Sequence, residues 1–237
     1  HSQSSTVQPP DIPLAMSASL TLYIDYVSQP SRSLVFLCRA IKAPHQEKVV
    51  SLVKGEHQNK AYADVNPFKK VPAVQDGDLL ILESCSALRY IASKYDAAGT
   101  WYPSDLKTRC KVDEYLDWQH LNTRAHGVGY YMNKVLVPMM KGSPPDMALV
   151  EKHEKEMGRV EELFASYFLG DKPFITGNTP TIADLQAATE FEQPQAAGYT
   201  LAKTTKEYLE RVREAVGAEM YDSLHEAPKE LAKKALQ

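Results

Sequence analysis

The sequence predicts an α/β N-terminal domain built on a small mixed sheet, followed by an all-helical C-terminal domain. Two observations support this fold class. Apolar residues alternate with other residues, or form short runs, only in the first part of the chain, where such segments lie between stretches of helical spacing. From Pro103 onward no segment has the pattern of a strand. We therefore expect one domain at residues 16–96, a linker at 97–102 and a second domain at 103–237.

The N-terminal domain is predicted to contain four strands. The first is indicated by the alternation of Leu20, Leu22 and Ile24 with other residues. The predicted elements are, in order, a strand at residues 20–24, a helix at 34–41, a strand at 48–52, a loop or short helix at 57–65, a hairpin at 73–75 and 79–82, and a helix at 85–95. A strand, helix and strand in succession favour a parallel pair joined by a right-handed crossover, and the hairpin adds two antiparallel strands. The expected result is a mixed four-stranded sheet.

The C-terminal domain is predicted to consist of helices alone. The predicted helices are a long one from about residue 105 with a bend at Pro138, one at residues 147–169, one that begins near residue 181, and two at residues 207–216 and 227–236. The sequence TIAD at residues 181–184 is a capping signal, in which Thr181 and Asp184 reach back to free helix amides. We assign this pair a structural role.

Composition excludes several classes of function. With 237 residues, a net charge of -3 and no long basic run, the chain is typical of a globular protein and is not expected to bind nucleic acid. No apolar stretch approaches the roughly 20 residues of a membrane span. The three cysteines, Cys38, Cys85 and Cys110, lack C-x-x-C spacing, so neither a disulfide framework nor a metal site is indicated and a cytoplasmic location is expected. Residues 1–15 are interpreted as a tag remnant and linker.

Residues 66–84 are the most informative segment. Pro72 is tolerated at the first residue of a strand, and this placement lets the amide and carbonyl of Val71 face outward. Ser84 is placed at a helix start, where exposed amides and the positive end of the helix dipole attract a carboxylate. The layout therefore suits a small peptide ligand.

Several segments together resemble the cytosolic glutathione transferases, and the theta class most closely. They are LTLYIDYVSQPSR at residues 20–32, KGEH at 54–57, NPFKKVPAVQDGD at 66–78, ES at 83–84, WYP at 101–103, VDEYLDWQH at 112–120 and TIAD at 181–184. The resemblance implies a thioredoxin-like N-terminal domain that binds glutathione, a helical domain that lines the second substrate pocket, and a homodimer. It implies glutathione as cosubstrate, with no bound cofactor and no metal.

The activity implied by the resemblance is detoxification by attack of the glutathione thiolate on small electrophiles. Alkyl halides and epoxides are the expected electrophiles, and hydroperoxide reduction is a further expected reaction. The alternative from another functional class is a non-catalytic binding or protein-interaction module, because a fold alone does not fix a function.

The resemblance makes Ser28 the catalytic hydroxyl, which donates a hydrogen bond to the sulfur of glutathione. A thiol with a pKa of about 8.5 is only slightly ionised at neutral pH, so the reaction needs such stabilisation. Ser28 also precedes Pro30 at a helix start, so a capping role is the alternative, and both roles can hold. Tyr23 and Tyr26 compete for the catalytic role, because other transferase classes use a tyrosine here, but the SQP sequence favours serine.

The resemblance also assigns the residues that hold glutathione. Val71 pairs through its main chain with the cysteinyl part, while Glu83 and Ser84 bind the γ-glutamyl end. His57 and Lys70 are assigned to the glycine carboxylate. For His57 the alternative is an ordinary histidine in a surface loop.

The electrophile pocket is assigned to the long helix of the C-terminal domain, with Arg124 and Tyr131 as its candidates. Arg124 either stabilises a leaving group or forms a structural salt bridge. Tyr131 either lines the pocket or belongs to the core.

Overall fold

The computed structural model describes residues 20–237, so the tag and linker predicted at residues 1–15 lie outside the described part of the chain. The first half contains β1 (Leu20–Ile24), α1 (Gln29–Ala40), β2 (His45–Val49), α2 (Lys60–Ala63), β3 (Ala73–Asp76), β4 (Leu79–Ile81) and α3 (Ser84–Tyr95). The second half contains α4 (Leu106–Trp118), α5 (Thr123–Tyr131), α6 (Val137–Lys141), α7 (Met147–Leu163), α8 (Ile182–Ala196), α9 (Lys203–Val216), α10 (Ala218–Leu224) and α11 (Glu226–Ala235).

The four strands form one sheet in the order β2-β1-β3-β4. β1 is parallel to β2, with Leu20 opposite His45 and Ile24 opposite Val49. β3 is antiparallel to both β1 and β4. The apolar residues of β1 are fully buried, as their alternation indicated. The predicted mixed sheet, with its parallel pair and its hairpin, is confirmed.

β2 begins at His45, earlier than the predicted start at residue 48. It is an edge strand whose side chains are exposed or half-buried, so its sequence carries no clear apolar alternation. Its register is set by pairing with β1. That pairing is an interaction between distant parts of the chain, which the local pattern does not contain.

The long helix predicted from about residue 105 is not continuous, so this prediction is wrong. A 3-10 turn at Gln119–Leu121 separates α4 from α5. Asn122 has φ of -123° and ψ of -94°, which is not helical, and its side chain donates to the carbonyl of Trp118 at 2.8 Å. Residues 123–141 are helical without a break, and Pro138 follows a π-helical turn at Met132–Leu136. The missing N–H of the proline therefore falls where the regular α-helical hydrogen bonding is already interrupted.

The helix predicted at residues 147–169 is confirmed in its bounds, since α7 continues directly into a π-helical turn at Phe164–Leu169. The short helix α10 was not predicted; it begins after Gly217, whose φ of 95° separates it from α9.

α8 is the central helix of the molecule. It packs against α1 of the first half and against α4, α5 and α9 of the second. Every residue from Ile182 to Pro194 is buried, including several that are polar or charged. Because buried polar groups need hydrogen-bond partners, α8 fixes the two halves against each other through specific contacts as well as apolar packing.

The thiols of Cys38 and Cys85 are part of the core. Cys38 is fully buried and Cys85 is 4% exposed. Burial raises the pKa of Cys38 to about 12, so that thiol is inert at neutral pH. Within residues 20–237, no helix is both long enough and apolar enough to cross a membrane.

Candidate active site

The connections that carry the predicted glutathione-binding residues all lie at one edge of the sheet, where β1, β2 and β4 end and β3 begins. Tyr23 of β1 lies opposite Ala73 of β3, so the end of β1 is beside the start of β3. Val74 lies opposite Ile81, so the end of β4 is there too, and the parallel strand β2 ends at the same edge. The residues on these connections are Ser28 after β1, His57 after β2, Lys70 and Val71 before β3, and Glu83 and Ser84 after β4. The sheet register therefore collects residues that are far apart in sequence.

Ser28 is the N-cap residue of α1 and is 8% exposed. Its amide donates to the carbonyl of Asp25 at 2.9 Å, which closes a turn directly after β1. Its hydroxyl makes no cap hydrogen bond, so the position serves as the cap without using the side chain. Among residues 20–237 the hydroxyl has no hydrogen-bond partner, and it lies at the positive end of the α1 dipole, where an anionic sulfur is favoured.

Asp25 holds the turn that carries Ser28, and the sequence analysis did not identify it. Its buried carboxylate accepts hydrogen bonds from the amide of Val27 at 2.8 Å and from the amide of Leu52 at 2.6 Å. The first bond stabilises the turn, and the second joins it to the segment that follows β2.

The two competing tyrosines are engaged elsewhere. The hydroxyl of Tyr26 donates to Glu47, and a guanidinium nitrogen of Arg39 lies 3.4 Å from it. Burial and the Glu47 carboxylate raise the pKa of Tyr26 to about 12, which makes its hydroxyl a weak proton donor. The Tyr23 hydroxyl faces Gln75 at 3.5 Å across the sheet. The Tyr26 hydroxyl is therefore held by Glu47, while the Tyr23 hydroxyl has only this long contact within the described residues.

The segment before β3 presents the backbone of Val71. The Val71–Pro72 peptide bond is cis. Within residues 20–237, Val71 forms no backbone hydrogen bond, so its amide and carbonyl can pair with an extended peptide. Buried Asn66 shapes this loop, because its side chain donates to the carbonyl of Lys70 at 2.7 Å and accepts from the amide of Phe68 at 2.9 Å.

Glu83 and Ser84 form the start of α3. Glu83 is the N-cap residue and is exposed, whereas Ser84 is 4% exposed. Glu83 makes no side-chain cap hydrogen bond, and the first amides of a helix have no partner within it. These amides can receive a carboxylate while the Glu83 carboxylate pairs with an ammonium group.

His57 and Lys70 lie on the connections next to this edge. His57 belongs to a 3-10 turn at Glu56–Gln58, and its Nδ1 atom is buried without a hydrogen-bond partner in the described part of the chain. The Lys70 side chain is exposed. Both can provide positive or hydrogen-bonding groups for a second carboxylate.

Arg124 forms a salt bridge and also reaches the start of α3. Its Nε donates to Glu190 at 2.8 Å, so the structural salt bridge given above as the alternative role of Arg124 is present. Its Nη2 lies 3.4 Å from the Ser84 hydroxyl, and its Nη1 lies 3.3 Å from Nδ1 of His120. The guanidinium is therefore held beside the start of α3.

Tyr131 is a core residue, which corrects its assignment to the electrophile pocket. It is 1% exposed, and its hydroxyl donates to the carbonyl of Pro228 at 2.8 Å. The side chain has no surface left to line a pocket. Helical spacing placed it on the same helix as Arg124, but spacing does not distinguish a buried face from a lining face.

Three other functional candidates were missed from the sequence. Arg32, Glu190 and Gln193 are fully or almost fully buried and connect α1 with α8 and α5. The available signal was the polar run TEFEQPQ at residues 189–195, near the end of a predicted helix.

The described surface also has a cavity of about 260 Å³ in the helical half, lined among others by Lys107, Lys111 and Tyr167. None of the predicted site residues lines it.

Comparisons with known proteins identify the family. Residues 18–93 match the family model described as "Glutathione S-transferase, N-terminal domain", and residues 130–216 match "Glutathione S-transferase, C-terminal domain". The chain belongs to the glutathione S-transferase family. Among curated relatives, this transferase is 37% identical over 210 residues to human glutathione S-transferase theta-1, an alignment that covers 87% of this chain and 88% of the relative. It is 36% identical to theta-2 of the mouse, with 87% and 85% covered.

Solved structures agree with this placement in the theta class. The human glutathione S-transferase T1-1 in its apo form superposes with a TM-score of 0.87 at 35% identity, and the match covers 90% of this chain and 91% of that one. Human theta-2 in complex with glutathione has a TM-score of 0.86 at 34% identity, with 92% and 90% covered. The predicted fold of a glutathione transferase, with its thioredoxin-like N-terminal domain and helical C-terminal domain, is confirmed.

Proposed function

We propose that this theta-class transferase conjugates glutathione to small electrophiles, with the Ser28 hydroxyl stabilising the thiolate. Alkyl halides and epoxides are the proposed substrates. The thiolate sulfur forms the new carbon–sulfur bond as the carbon–halogen bond breaks and halide leaves, or as an epoxide carbon–oxygen bond breaks and the oxygen takes up a proton. Hydroperoxide reduction is proposed as a second reaction, in which two glutathione molecules yield the disulfide, an alcohol and water.

The main observation in support of this role is that the Ser28 hydroxyl lies at the start of α1 and makes no cap hydrogen bond. Lowering the pKa of a thiol from about 8.5 by about two units needs about 2.7 kcal/mol. One hydrogen bond to a charged acceptor contributes about 1.5–3 kcal/mol, and a helix N-terminus adds about 0.3–1 kcal/mol. These two contributions suffice, so no covalent enzyme intermediate and no metal is required.

The proposed binding mode spans the edge of the sheet. Val71 pairs through its backbone with the cysteinyl part of glutathione. Glu83, Ser84 and the first amides of α3 bind the γ-glutamyl end, where Arg124 adds positive charge 3.4 Å from the Ser84 hydroxyl. His57 and Lys70 bind the glycine carboxylate. Their unpartnered or exposed side chains support this assignment.

The test compares Ser28→Ala with Tyr26→Phe. We expect Ser28→Ala to bind glutathione nearly normally, to raise the pKa of the bound thiol by one to two units, and to lower kcat by about 10²-fold with a halide or epoxide. Tyr26→Phe should leave the thiol pKa unchanged, because the Tyr26 phenol is bound to Glu47. Full turnover in Ser28→Ala would contradict the proposal.

The wild type and Ser28→Ala also distinguish an enzyme from a non-catalytic binding module. Retention on immobilised glutathione, without turnover of a halide, epoxide and peroxide panel and without any effect of Ser28→Ala, would favour a binding module. The relatives that the chain resembles are named as transferases, which supports the enzyme.

We further propose a cytoplasmic homodimer with domains at residues 16–96 and 103–237. Leu79 and Leu80 of the edge strand β4 are 41% and 40% exposed, and Phe68 is 66% exposed. Apolar side chains on an open strand edge favour association with a partner. A molar mass near that of one chain, measured by light scattering at micromolar concentration, would contradict the dimer. Cell fractionation tests the location.

A further inference from the structure

Arg32 is a buried cation placed between the Ser28 turn and the helical half. It lies on the first turn of α1 and is fully buried. Its Nη1 donates to the carbonyls of Tyr26 at 2.9 Å and Val27 at 3.1 Å, the two residues that directly precede Ser28. One side chain thus holds the turn from within the molecule.

The other end of the guanidinium is fixed on α8. Nη2 donates to the carbonyl of Thr189 at 3.2 Å and to Oε1 of Gln193 at 2.8 Å. The planar fork of arginine directs one nitrogen at the turn and another at α8, whereas a lysine has a single nitrogen for both. Arg32 therefore links the turn before Ser28 to a helix more than 150 residues away in the chain.

The surroundings keep Arg32 charged. Burial lowers its pKa to about 10, and the carboxylates of Glu190 and Glu192 oppose that effect. The guanidinium is consequently protonated at neutral pH, and its hydrogen bonds are charge-assisted. Glu190 also binds Arg124, whose guanidinium contacts Ser84. α8 thus supports both the Ser28 turn and the start of α3.

We propose that Arg32 is a positioning residue, anchored on α8, that holds the Ser28 turn so that the hydroxyl meets the glutathione sulfur. This inference rests on the proposed role of Ser28. A displacement of about 1 Å in such a group is enough to lower a rate by up to 10²-fold, so the loss of the Arg32 contacts affects the chemistry more than the binding of glutathione.

The experiment uses the full chain and four variants. Arg32→Lys keeps the charge but loses the fork, and Gln193→Met removes the acceptor on α8. Arg211→Lys is the matched control, because Arg211 also donates to a backbone carbonyl, that of Pro173 at 3.1 Å, but lies in the helical half. Ser28→Ala is the reference. The pKa of bound glutathione is read from thiolate absorbance against pH, beside kcat, the glutathione KM and the melting temperature.

We expect Arg32→Lys to raise the thiol pKa by about one unit and to lower kcat about tenfold, with the glutathione KM within about twofold of wild type. Gln193→Met should also raise the thiol pKa and lower kcat, by smaller amounts. Arg211→Lys should change neither the thiol pKa nor kcat. A purely structural role would lower the melting temperature and leave the thiol pKa of the folded protein unchanged.

Wild-type thiol pKa values in folded Arg32→Lys and Gln193→Met would overturn the inference. If Arg32→Lys does not fold, Gln193→Met decides alone. A thiol pKa that rises in Ser28→Ala but in neither of these variants overturns only the positioning role. An unchanged thiol pKa in Ser28→Ala would instead overturn the role of Ser28 itself.

Discussion

At the scale of single residues, the site is defined by which polar groups are already paired. Tyr26 is paired with Glu47 and Tyr131 with the carbonyl of Pro228, so neither hydroxyl is free for a ligand. The Ser28 hydroxyl makes no cap bond. Residue type suggested all three as candidates, whereas hydrogen bonding separates them.

The ionisation of Glu47 should make the free energy of unfolding depend on pH. The hydrogen bond from His45, with those from Tyr26 and Arg39, lowers the pKa of Glu47 to about 2, below its ordinary value of 4.5. A depressed carboxyl pKa stabilises the fold above pH 4.5, and this contribution is lost as the pH falls from 4.5 toward 2. Because the side chain is 18% exposed, solvent screening reduces the stabilisation that corresponds to this shift to about 1–2 kcal/mol.

Glu47→Gln should therefore be less stable than wild type by about 1–2 kcal/mol at pH 7, measured by urea unfolding, and the difference should shrink below pH 4.5. Asp64→Asn is the control, since the Lys60–Asp64 pair is exposed and should contribute less than about 0.5 kcal/mol. A difference that is constant from pH 7 to pH 3 would contradict the assignment of the pKa to Glu47.

At the scale of elements, the start of α8 shows how a local signal becomes part of the core. The TIAD sequence predicts a cap, and the buried carboxylate of Asp184 does accept from the Thr181 amide at 2.8 Å. It also accepts from the amide of Ile175 at 3.0 Å and from the hydroxyl of Tyr208 at 2.9 Å. Those two bonds join the preceding loop and α9 to the cap, and no sequence pattern indicated them.

Asp184→Ala should lower the free energy of unfolding by about 3 kcal/mol or more, because it leaves several buried donors without an acceptor. Asp184→Asn keeps one acceptor oxygen and should lose about 1–2 kcal/mol. Asp105→Ala removes an exposed cap that accepts from the Thr108 amide at 2.9 Å, and it should cost less than either. Equal losses in Asp184→Ala and Asp105→Ala, measured by urea unfolding, would show that the cap acts only locally.

At the scale of the whole molecule, the two halves share a polar interface as well as an apolar one. Arg32 donates to Gln193 and Ser33 donates to Gln186, both at 2.8 Å. Separating the halves while each stays folded would leave these buried groups unpaired, at a cost of about 1–3 kcal/mol each. The halves therefore stabilise each other.

We expect a single unfolding transition in urea. Trp101 and Trp118 are the two tryptophans of the chain, and their fluorescence should change at the same midpoint as the far-ultraviolet circular dichroism. Two separated midpoints would contradict this coupling. Gln186→Leu, which removes the acceptor for Ser33, should lower both midpoints together.

The sequence by itself determined the family, the mixed sheet, the helical second half, and the residues proposed to bind glutathione. The sheet and the helices depend on local signals: apolar periodicity, a strand-opening proline, and helix starts marked by serine and threonine. Such signals are contained in a few neighbouring residues, so they can be read without the fold. The family and the proposed glutathione-binding residues follow from the resemblance of whole motifs to the glutathione transferases.

Only the tertiary structure decided the position of β2, the break at Asn122, the burial of Tyr131 and the contacts of Arg32. Most of these depend on contacts between distant segments, such as β2 on β1 and α1 on α8, whereas the break at Asn122 is made by a local turn. The same register brings Ser28, Val71 and Ser84 to one edge of the sheet. Non-local contacts determine which polar groups are buried and satisfied, and that determines which remain free to bind a substrate.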